Sequence, residues 1–204
     1  MERTFLIVGH RVRTDAKFSL NDLCGSTGRL DILLRTINSS FLLSNGIRRN
    51  VTLYLVLQGE PDAPISICLK GPELRYLNPD ERSTGALIRQ ALLTKGISEE
   101  WKRSTPGIYI AKREYDDLLM ELIASGKRPV YLHETGVPLS EANFPNENGL
   151  LFLLGDQFDL TEEEEQRLQE ISENPVGKIS LGPEILHTDH CVILIHNALD
   201  RQEE

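Results

Sequence analysis

The segment from Ile179 to Asp200 concentrates side chains that could do chemistry. It reads ISLGPEILHTDHCVILIHNALD and contains His187, His190, Cys191 and His196. On a helix, the first three would share one face, because residues three and four apart are neighbours. Imidazole and thiolate groups are zinc ligands, and a thiol beside a histidine can be a nucleophile.

The rest of the sequence favours neither a metal site nor a nucleophile. Outside this segment the only histidines are His10 and His133, which stand alone. The cysteines are far apart and form no C-x-x-C pair, so neither a disulfide framework nor a cysteine zinc site is indicated. His190 directly precedes Cys191 and would lie on another side of the helix. We predict no metal, and a packed Cys191.

Charge is distributed unevenly along the 204 residues, whose formal net charge is -9. Acidic residues crowd into 162–165, whereas arginines are frequent in the first 50 residues. A net-acidic protein can therefore still present a basic face to RNA phosphates, although solvated surface arginines explain the same pattern. The candidate phosphate-binding residues are Arg11, Arg13, Arg48, Arg49, Arg75 and Arg82.

Alternating strands and helices must position these groups. Apolar runs predict strands at 4–8, 51–57, 65–69, 107–111, 129–132, 150–154 and 176–180. Helical periodicity and capping residues predict helices at 29–43, 84–95, 113–125 and 161–172, with a further helix at the C-terminus. This order predicts an α/β fold with a mostly parallel sheet, helices on both faces, and one domain over residues 1–204.

Ligands of such folds bind beyond the carboxyl ends of strands. Three loops follow predicted strands there: HETG from His133, GDQFD from Gly155 and LGPEIL from Leu181. The N-terminal apolar run is too short for a signal peptide or a membrane span, and no other segment is long enough to span. We therefore expect a cytoplasmic protein with no membrane partner.

Six phrases spread along the chain carry a family resemblance. They are FSLNDLCGSTGRLDILLR, FLLSNGIRRNV, LNPDERS, LHETG, FLLGD and SLGPEILHTDHCVILIHNALDR. Together and in this order they resemble the archaeal tRNA (pseudouridine-54-N1)-methyltransferases, which belong to the SPOUT class. Cys24 departs from the pattern, since proline is expected at its position, and this affects a local turn rather than the chemistry.

The resemblance implies a C-terminal trefoil knot, a homodimer, and S-adenosylmethionine held in the knot by three loops. Those three loops match the strand-end loops found above. The cofactor contacts implied by the resemblance are Leu132, Gly155, Ser180, Leu181, Gly182, Pro183, Leu186 and Cys191. The implied substrate is tRNA that contains pseudouridine, methylated on N1 at position 54 in the T loop.

This reaction needs alignment and a proton acceptor, because N1 of pseudouridine carries a proton until it reacts. Residue type allows several carboxylates in this role, and we take Asp80 first and Asp31 second, with Arg75 and Arg82 on RNA phosphate. Two alternatives remain at this point. One is a pseudouridine N1-methyltransferase of small-subunit ribosomal RNA that acts in ribosome assembly. The other is a catalytically idle RNA-binding assembly factor.

Overall fold

Strand β1 (Arg3–Gly9) lies inside the sheet, and all seven of its residues are buried. In this computed structural model, which describes residues 1–142, 144, 149–172 and 176–202, the chain forms one eight-stranded sheet and a separate two-stranded hairpin. The remaining strands are β2 (Leu42–Leu43), β3 (Gly46–Ile47), β4 (Val51–Leu57), β5 (Ile65–Lys70), β6 (Lys102–Thr105), β7 (Ile108–Ala111), β8 (Arg128–Pro138), β9 (Leu150–Gly155) and β10 (Lys178–Ser180). The helices are α1 (Leu30–Phe41), α2 (Glu81–Leu92), α3 (Tyr115–Ala124), α4 (Glu162–Ile171) and α5 (Thr188–Gln202), with a short 3-10 turn at Leu139–Glu141.

The strand order is β10-β8-β9-β1-β4-β5-β7-β6. The five strands from β10 to β4 are parallel, and β5, β7 and β6 continue the sheet in antiparallel pairings. The predicted α/β fold with a mostly parallel sheet is therefore confirmed. The antiparallel edge was not anticipated, because apolar runs alone do not reveal strand direction.

Helices cover both faces of the sheet, as predicted. Phe5 and Ile7 of β1 point into a core that includes residues of α1, α2 and α5. Leu6 and Val8 point the other way, into a core with α3 and α4. The alternation follows from the two-residue period of a strand that is buried on both faces.

The β2–β3 hairpin and the edge strand β6 were not predicted. Helical periodicity continues into Leu42, so the predicted helix 29–43 ran over β2, which pairs with β3. β6 is polar and lies at the sheet edge, where strands commonly carry charged residues that discourage further pairing. A two-residue apolar strand is too short to be told from a helix end, and β6 has no apolar signal at all.

Capping side chains set the ends of α2 and α4. We predicted that α2 starts behind Ser83, which is wrong, because Asp80 is the cap and the helix begins at Glu81. Oδ1 of Asp80 accepts a hydrogen bond from the Ser83 backbone N–H at 2.8 Å. The predicted capping box of Thr161 and Glu164 is present at the start of α4.

Helix α5 is held along its length. Its C-terminal part carries Asp200, which pairs with Arg3 of β1 at 2.7 Å and with Arg48 at 2.5 Å. One turn earlier, the buried His196 ring lies 3.0 Å from an Arg3 nitrogen and 3.1 Å from the Ser40 carbonyl oxygen. The C-terminal helix is therefore anchored to β1 and to the end of α1. Within the described part of the chain, no helix is long and apolar enough to cross a membrane.

Candidate functional site

A cleft of about 280 Å³ opens beside the middle of β8, beyond the carboxyl end of β9 and beside the start of α5. The loop between β10 and α5 forms one side of the cleft, and the loop after β9 forms another. Thr188, the first residue of α5, donates its hydroxyl proton to the Gly155 carbonyl oxygen at 2.9 Å. This bond fixes α5 against the end of β9. The cleft is lined by Ile32, Leu132, His133, Glu134, Leu154, Gly155, Asp156, Gln157, Asp159, Leu181, Gly182, Glu184, Ile185, Leu186, His187, Thr188 and Cys191.

The structure brings most of the predicted cofactor residues together. Six of the eight line the cleft: Leu132, Gly155, Leu181, Gly182, Leu186 and Cys191. Ser180 and Pro183 are not in its lining but flank it in the chain. The Ser180 hydroxyl donates to the Gly182 carbonyl oxygen at 2.9 Å and so shapes the turn that carries Leu181.

Gly155 is required by close backbone packing. A Cβ atom at this position would lie 2.2 Å from the backbone of Asp159, which is closer than real Cβ contacts allow. The loop from Gly155 to Asp159 therefore folds back tightly on itself, and only glycine permits this approach without a shift of the backbone. The sequence pattern FLLGD placed this glycine at the strand end but did not reveal the reason.

Acidic side chains also line the cleft, and sequence reasoning missed them as a group. They are Glu134, Asp156, Asp159 and Glu184. His133, Glu134 and Asp159 bring ligand atoms within 4.8 Å of one another. They come from β8, from the loop after β9 and from the loop between β10 and α5, so only the fold assembles them. Together with the leucines of the cleft, the four carboxylates suit a ligand that has both flat apolar and cationic parts.

Beneath one loop of the cleft, His10 joins β1 to β9 and α4. Its Nδ1 lies 3.0 Å from Oδ1 of Asp156 and its Nε2 lies 3.0 Å from Oε2 of Glu164. The His10 backbone N–H donates to Oδ2 of Asp156 at 2.9 Å. Burial lowers the pKa of His10, but hydrogen bonds with Asp156 and Glu164 outweigh it and raise the pKa to about 9.

The cysteine and histidines of the opening segment occupy three different settings. Cys191 lines the cleft, and burial raises the pKa of its thiol to about 11, so the reactive thiolate is disfavoured. His196 faces Arg3 and Ser40 inside the fold, where burial lowers its pKa to about 3. His187 and His190 pack edge to face with ring centroids 5.5 Å apart.

The two candidate proton acceptors occupy different settings. Asp80 is exposed and caps α2, and hydrogen bonds from Ser83 lower its pKa. Asp31 is nearly buried and precedes Ile32, which lines the cleft. Burial raises the pKa of Asp31, but hydrogen bonds from Arg29 and Arg35 outweigh this and lower it.

Arg35 connects the Asp31 carboxylate to two other helices. Its guanidinium lies 3.0 Å from Asp31, 3.7 Å from Glu81 at the start of α2 and 3.9 Å from Asp189 at the start of α5. Sequence reasoning missed Arg35 because its role depends on helices distant in sequence. The network places Asp31 beside the end of α5 that borders the cleft.

The six candidate RNA-binding arginines divide into two groups. Arg13 pairs with Asp15, Arg48 pairs with Asp200, and Arg49 donates to the carbonyl oxygens of Gly71 and Leu74 at 2.8 Å. These three serve the fold. Arg11, Arg75 and Arg82 form no ion pair within the described part of the chain, and the guanidinium of Arg11 lies 4.4 Å from the centre of the Phe158 ring.

The solved structure of Archaeoglobus fulgidus Nep1 bound to S-adenosylhomocysteine has a similar fold. The TM-score is 0.63 at 15% identity, over 100% of this chain and 99% of that one. At that identity the likeness concerns the fold alone. The class defined by the fold and the cleft is thus an α/β domain with a mostly parallel sheet and a cleft at one edge of that sheet.

Sequence comparison identifies the family. Residues 2–204 match the profile described as "Putative SAM-dependent RNA methyltransferase". The tRNA (pseudouridine(54)-N(1))-methyltransferase of Methanococcoides burtonii is 48% identical over 98% of this chain and 96% of the relative. The enzyme of the same description from Methanococcus vannielii is 44% identical over 98% of both chains. The chain belongs to this family of S-adenosylmethionine-dependent RNA methyltransferases.

Proposed function

We propose that this protein transfers a methyl group from S-adenosylmethionine to N1 of pseudouridine 54 in the T loop of tRNA. The observation that carries the proposal is the cleft, where six of the eight residues assigned from the family pattern meet. The relatives that share 44% and 48% identity over nearly the whole chain are described by this activity. The chain is proposed to act as one domain over residues 1–204, in the cytoplasm.

The donor set of the cleft fits S-adenosylmethionine. Leu132, Leu181 and Leu186 offer apolar surface for a flat base, and Gly155 keeps the backbone of its loop close. The lining carboxylates offer acceptors for hydroxyl groups and compensation for the ligand's positive charge. When bound, the cofactor supplies an electrophilic methyl group. We assign Ser180 and Pro183 to the shape of the turn around Gly182.

For the proton of N1, Asp31 is placed ahead of Asp80, the reverse of the order inferred from the sequence. Asp31 is not in the cleft lining but is joined through Arg35 to Asp189 at the start of α5, whereas Asp80 is engaged in capping α2. Because Arg29 and Arg35 hold Asp31 ionised, it is a weak base. Its proposed role is to accept a hydrogen bond from N1–H and to position the base.

Three arginines have guanidinium groups available for RNA phosphate. Arg75 is exposed in the segment before α2, and Arg82 lies in the first turn of that helix. Arg11 lies at the Phe158 ring, next to the loop that lines the cleft. Their freedom from carboxylate partners supports phosphate binding by these residues rather than by Arg13, Arg48 and Arg49.

A homodimer and a C-terminal knot complete the proposal. Large apolar side chains are exposed around α5 and the loop before it, with Ile185 at 82%, Ile193 at 51% and Leu194 at 37% exposure. A second copy of the chain is the proposed cover for them. The proposed knot rests on the family pattern of the C-terminal segment.

The experiment compares RNA substrates. Methyl transfer from labelled S-adenosylmethionine is measured with tRNA containing pseudouridine 54 and with a small-subunit ribosomal RNA fragment containing pseudouridine. Transfer to tRNA alone is expected. Preferential methylation of the ribosomal fragment would favour the ribosomal alternative, and cofactor binding without transfer to either RNA would favour an idle binding protein.

A further inference from the structure

We propose that His10 is a positioning residue for S-adenosylmethionine, because its ring holds the loop of residues 155–159 in the form that lines the cleft. The inference rests on the proposed function of that cleft. His10 itself is not in the cleft lining and would act through Asp156, which is. No sequence motif singled out His10 beyond its residue type.

The ring makes two side-chain bonds that join distant parts of the chain. One nitrogen faces Asp156 at the end of β9, and the other faces Glu164 in the first turn of α4, each at 3.0 Å. A neutral imidazole has a single N–H, so one of its nitrogens would present a lone pair to a carboxylate. Both bonds therefore require the imidazolium form, whose charge compensates two nearly buried carboxylates.

The carboxylate partners of His10 are themselves fully engaged. Oδ1 of Asp156 also accepts from the Phe158 N–H at 3.0 Å, which shapes the loop that follows β9. Glu164 also accepts from the Thr161 N–H at 2.9 Å and from the Gln58 side chain at 2.9 Å. The loop that lines the cleft is therefore connected through His10 to the helix cap of α4.

The elements packed around the His10 ring bring other ionisable groups near it. Arg11 follows in the chain and lies over the Phe158 ring, which meets the His10 ring at a centroid distance of 6.4 Å. From α3, the Tyr115 hydroxyl donates to the Glu164 carbonyl oxygen at 3.4 Å. Arg11 opposes protonation of His10, whereas Asp156 and Glu164 favour it.

The test uses adenosine and S-adenosylhomocysteine as calorimetric probes of the intact protein. Adenosine has no amino group that titrates at alkaline pH, so a change in its binding reports the protein. We expect His10→Gln to weaken both ligands on the order of tenfold, because Gln cannot supply two charged N–H donors. His190→Gln is the matched control, since His190 is exposed and is not in the cleft lining.

A pH series separates positioning from general destabilisation. Adenosine binding by the unaltered protein is expected to hold constant below pH 8 and to weaken as His10 loses its proton near pH 9. Glu164→Gln keeps a capping-box residue but removes one carboxylate, so the weakening should move to lower pH. His10→Gln should lack this dependence.

Two outcomes would overturn the inference. One is a folded His10→Gln protein that binds both ligands as tightly as the His190→Gln control. The other is an alkaline loss of adenosine binding that persists unchanged in His10→Gln. Failure of the unaltered protein to bind either ligand at pH 7 would instead contradict the proposed function itself.

Discussion

Gly155 shows how a single residue shapes the candidate site. Since a Cβ there would lie 2.2 Å from the Asp159 backbone, Gly155→Ala must displace the loop that lines the cleft. Backbone displacements of this kind cost about 1–3 kcal/mol. We expect S-adenosylmethionine to bind at least about tenfold more weakly, since tenfold corresponds to ~1.4 kcal/mol. Gly177→Ala, with no atom within 4 Å of its Cβ, is the control in calorimetry. Equal affinities for the two variants would show that the loop tolerates the shift.

Asp31 and Asp80 can be distinguished by replacing each carboxylate with an amide. Asn caps helices as well as Asp does, so Asp80→Asn should retain stability and activity, whereas Asp80→Ala should lose about 1 kcal/mol of stability. Asp31→Asn should lower kcat by roughly a hundredfold with cofactor binding retained. Single-turnover assays and thermal melts measure these effects. Loss of activity in a folded Asp80→Asn variant would instead identify Asp80 as the proton acceptor.

Part of the candidate site could be predicted from the sequence. The strand-end Gly155 and the leucines of the cleft could be predicted, because a family pattern and the carboxyl-end rule both point to them. The predicted loop from His133 is wrong, because β8 continues through it to Pro138. The group of Glu134, Asp156, Asp159 and Glu184 could not be predicted, because β8 and two separate loops bring them to one cleft. The structural engagement of Arg48 was equally invisible, since Asp200 lies 152 residues from it.

At the scale of elements, strongly periodic segments were predicted and weakly patterned ones were missed. β1, β4 and β9 are buried apolar runs, and their existence follows from composition. β6 is polar because it lies at an edge, and the start of α2 depends on which of Asp80 and Ser83 caps it. Boundaries set by single hydrogen bonds are decided in three dimensions.

Helix α5 depends on a carboxylate near its end. Asp200→Asn removes the carboxylate charge that pairs with Arg3, whose side chain has 0% exposure, and with Arg48. Asp200 itself is 41% exposed, so solvent reduces the effect, and we expect a loss of roughly 1–2 kcal/mol. A melting temperature lower by about 2–8 °C would report it.

The pH dependence of this anchor has a definite sign. Hydrogen bonds from Arg48 and Arg3 lower the pKa of Asp200 from 3.8 to about 2. Its contribution to the free energy of unfolding is therefore complete above pH 4 and is lost as the pH falls through about 2. The difference between Asp200→Asn and the unaltered protein should shrink over that interval. A constant difference from pH 7 to pH 2 would contradict the assigned ion pairs.

At the scale of the whole molecule, the exposed apolar face around α5 predicts self-association. Ile193→Asp introduces a charge at a site that is 51% exposed, so the isolated fold should tolerate it. A dimer interface that includes this site should not tolerate the introduced charge. We expect a dimer for the unaltered protein and a monomer for the variant in analytical ultracentrifugation. A monomeric unaltered protein would contradict the proposed dimer.

The proposed function depends above all on pseudouridine 54 being the base that receives the methyl group. The most direct measurement is mass spectrometry of nucleosides from tRNA incubated with the protein and S-adenosylmethionine. Two transcripts are compared, one with pseudouridine at position 54 and one with uridine. We expect N1-methylpseudouridine from the transcript with pseudouridine 54 and no methylated product from the transcript with uridine. Methyl transfer to ordinary uridine, or to neither base, would contradict the proposed function.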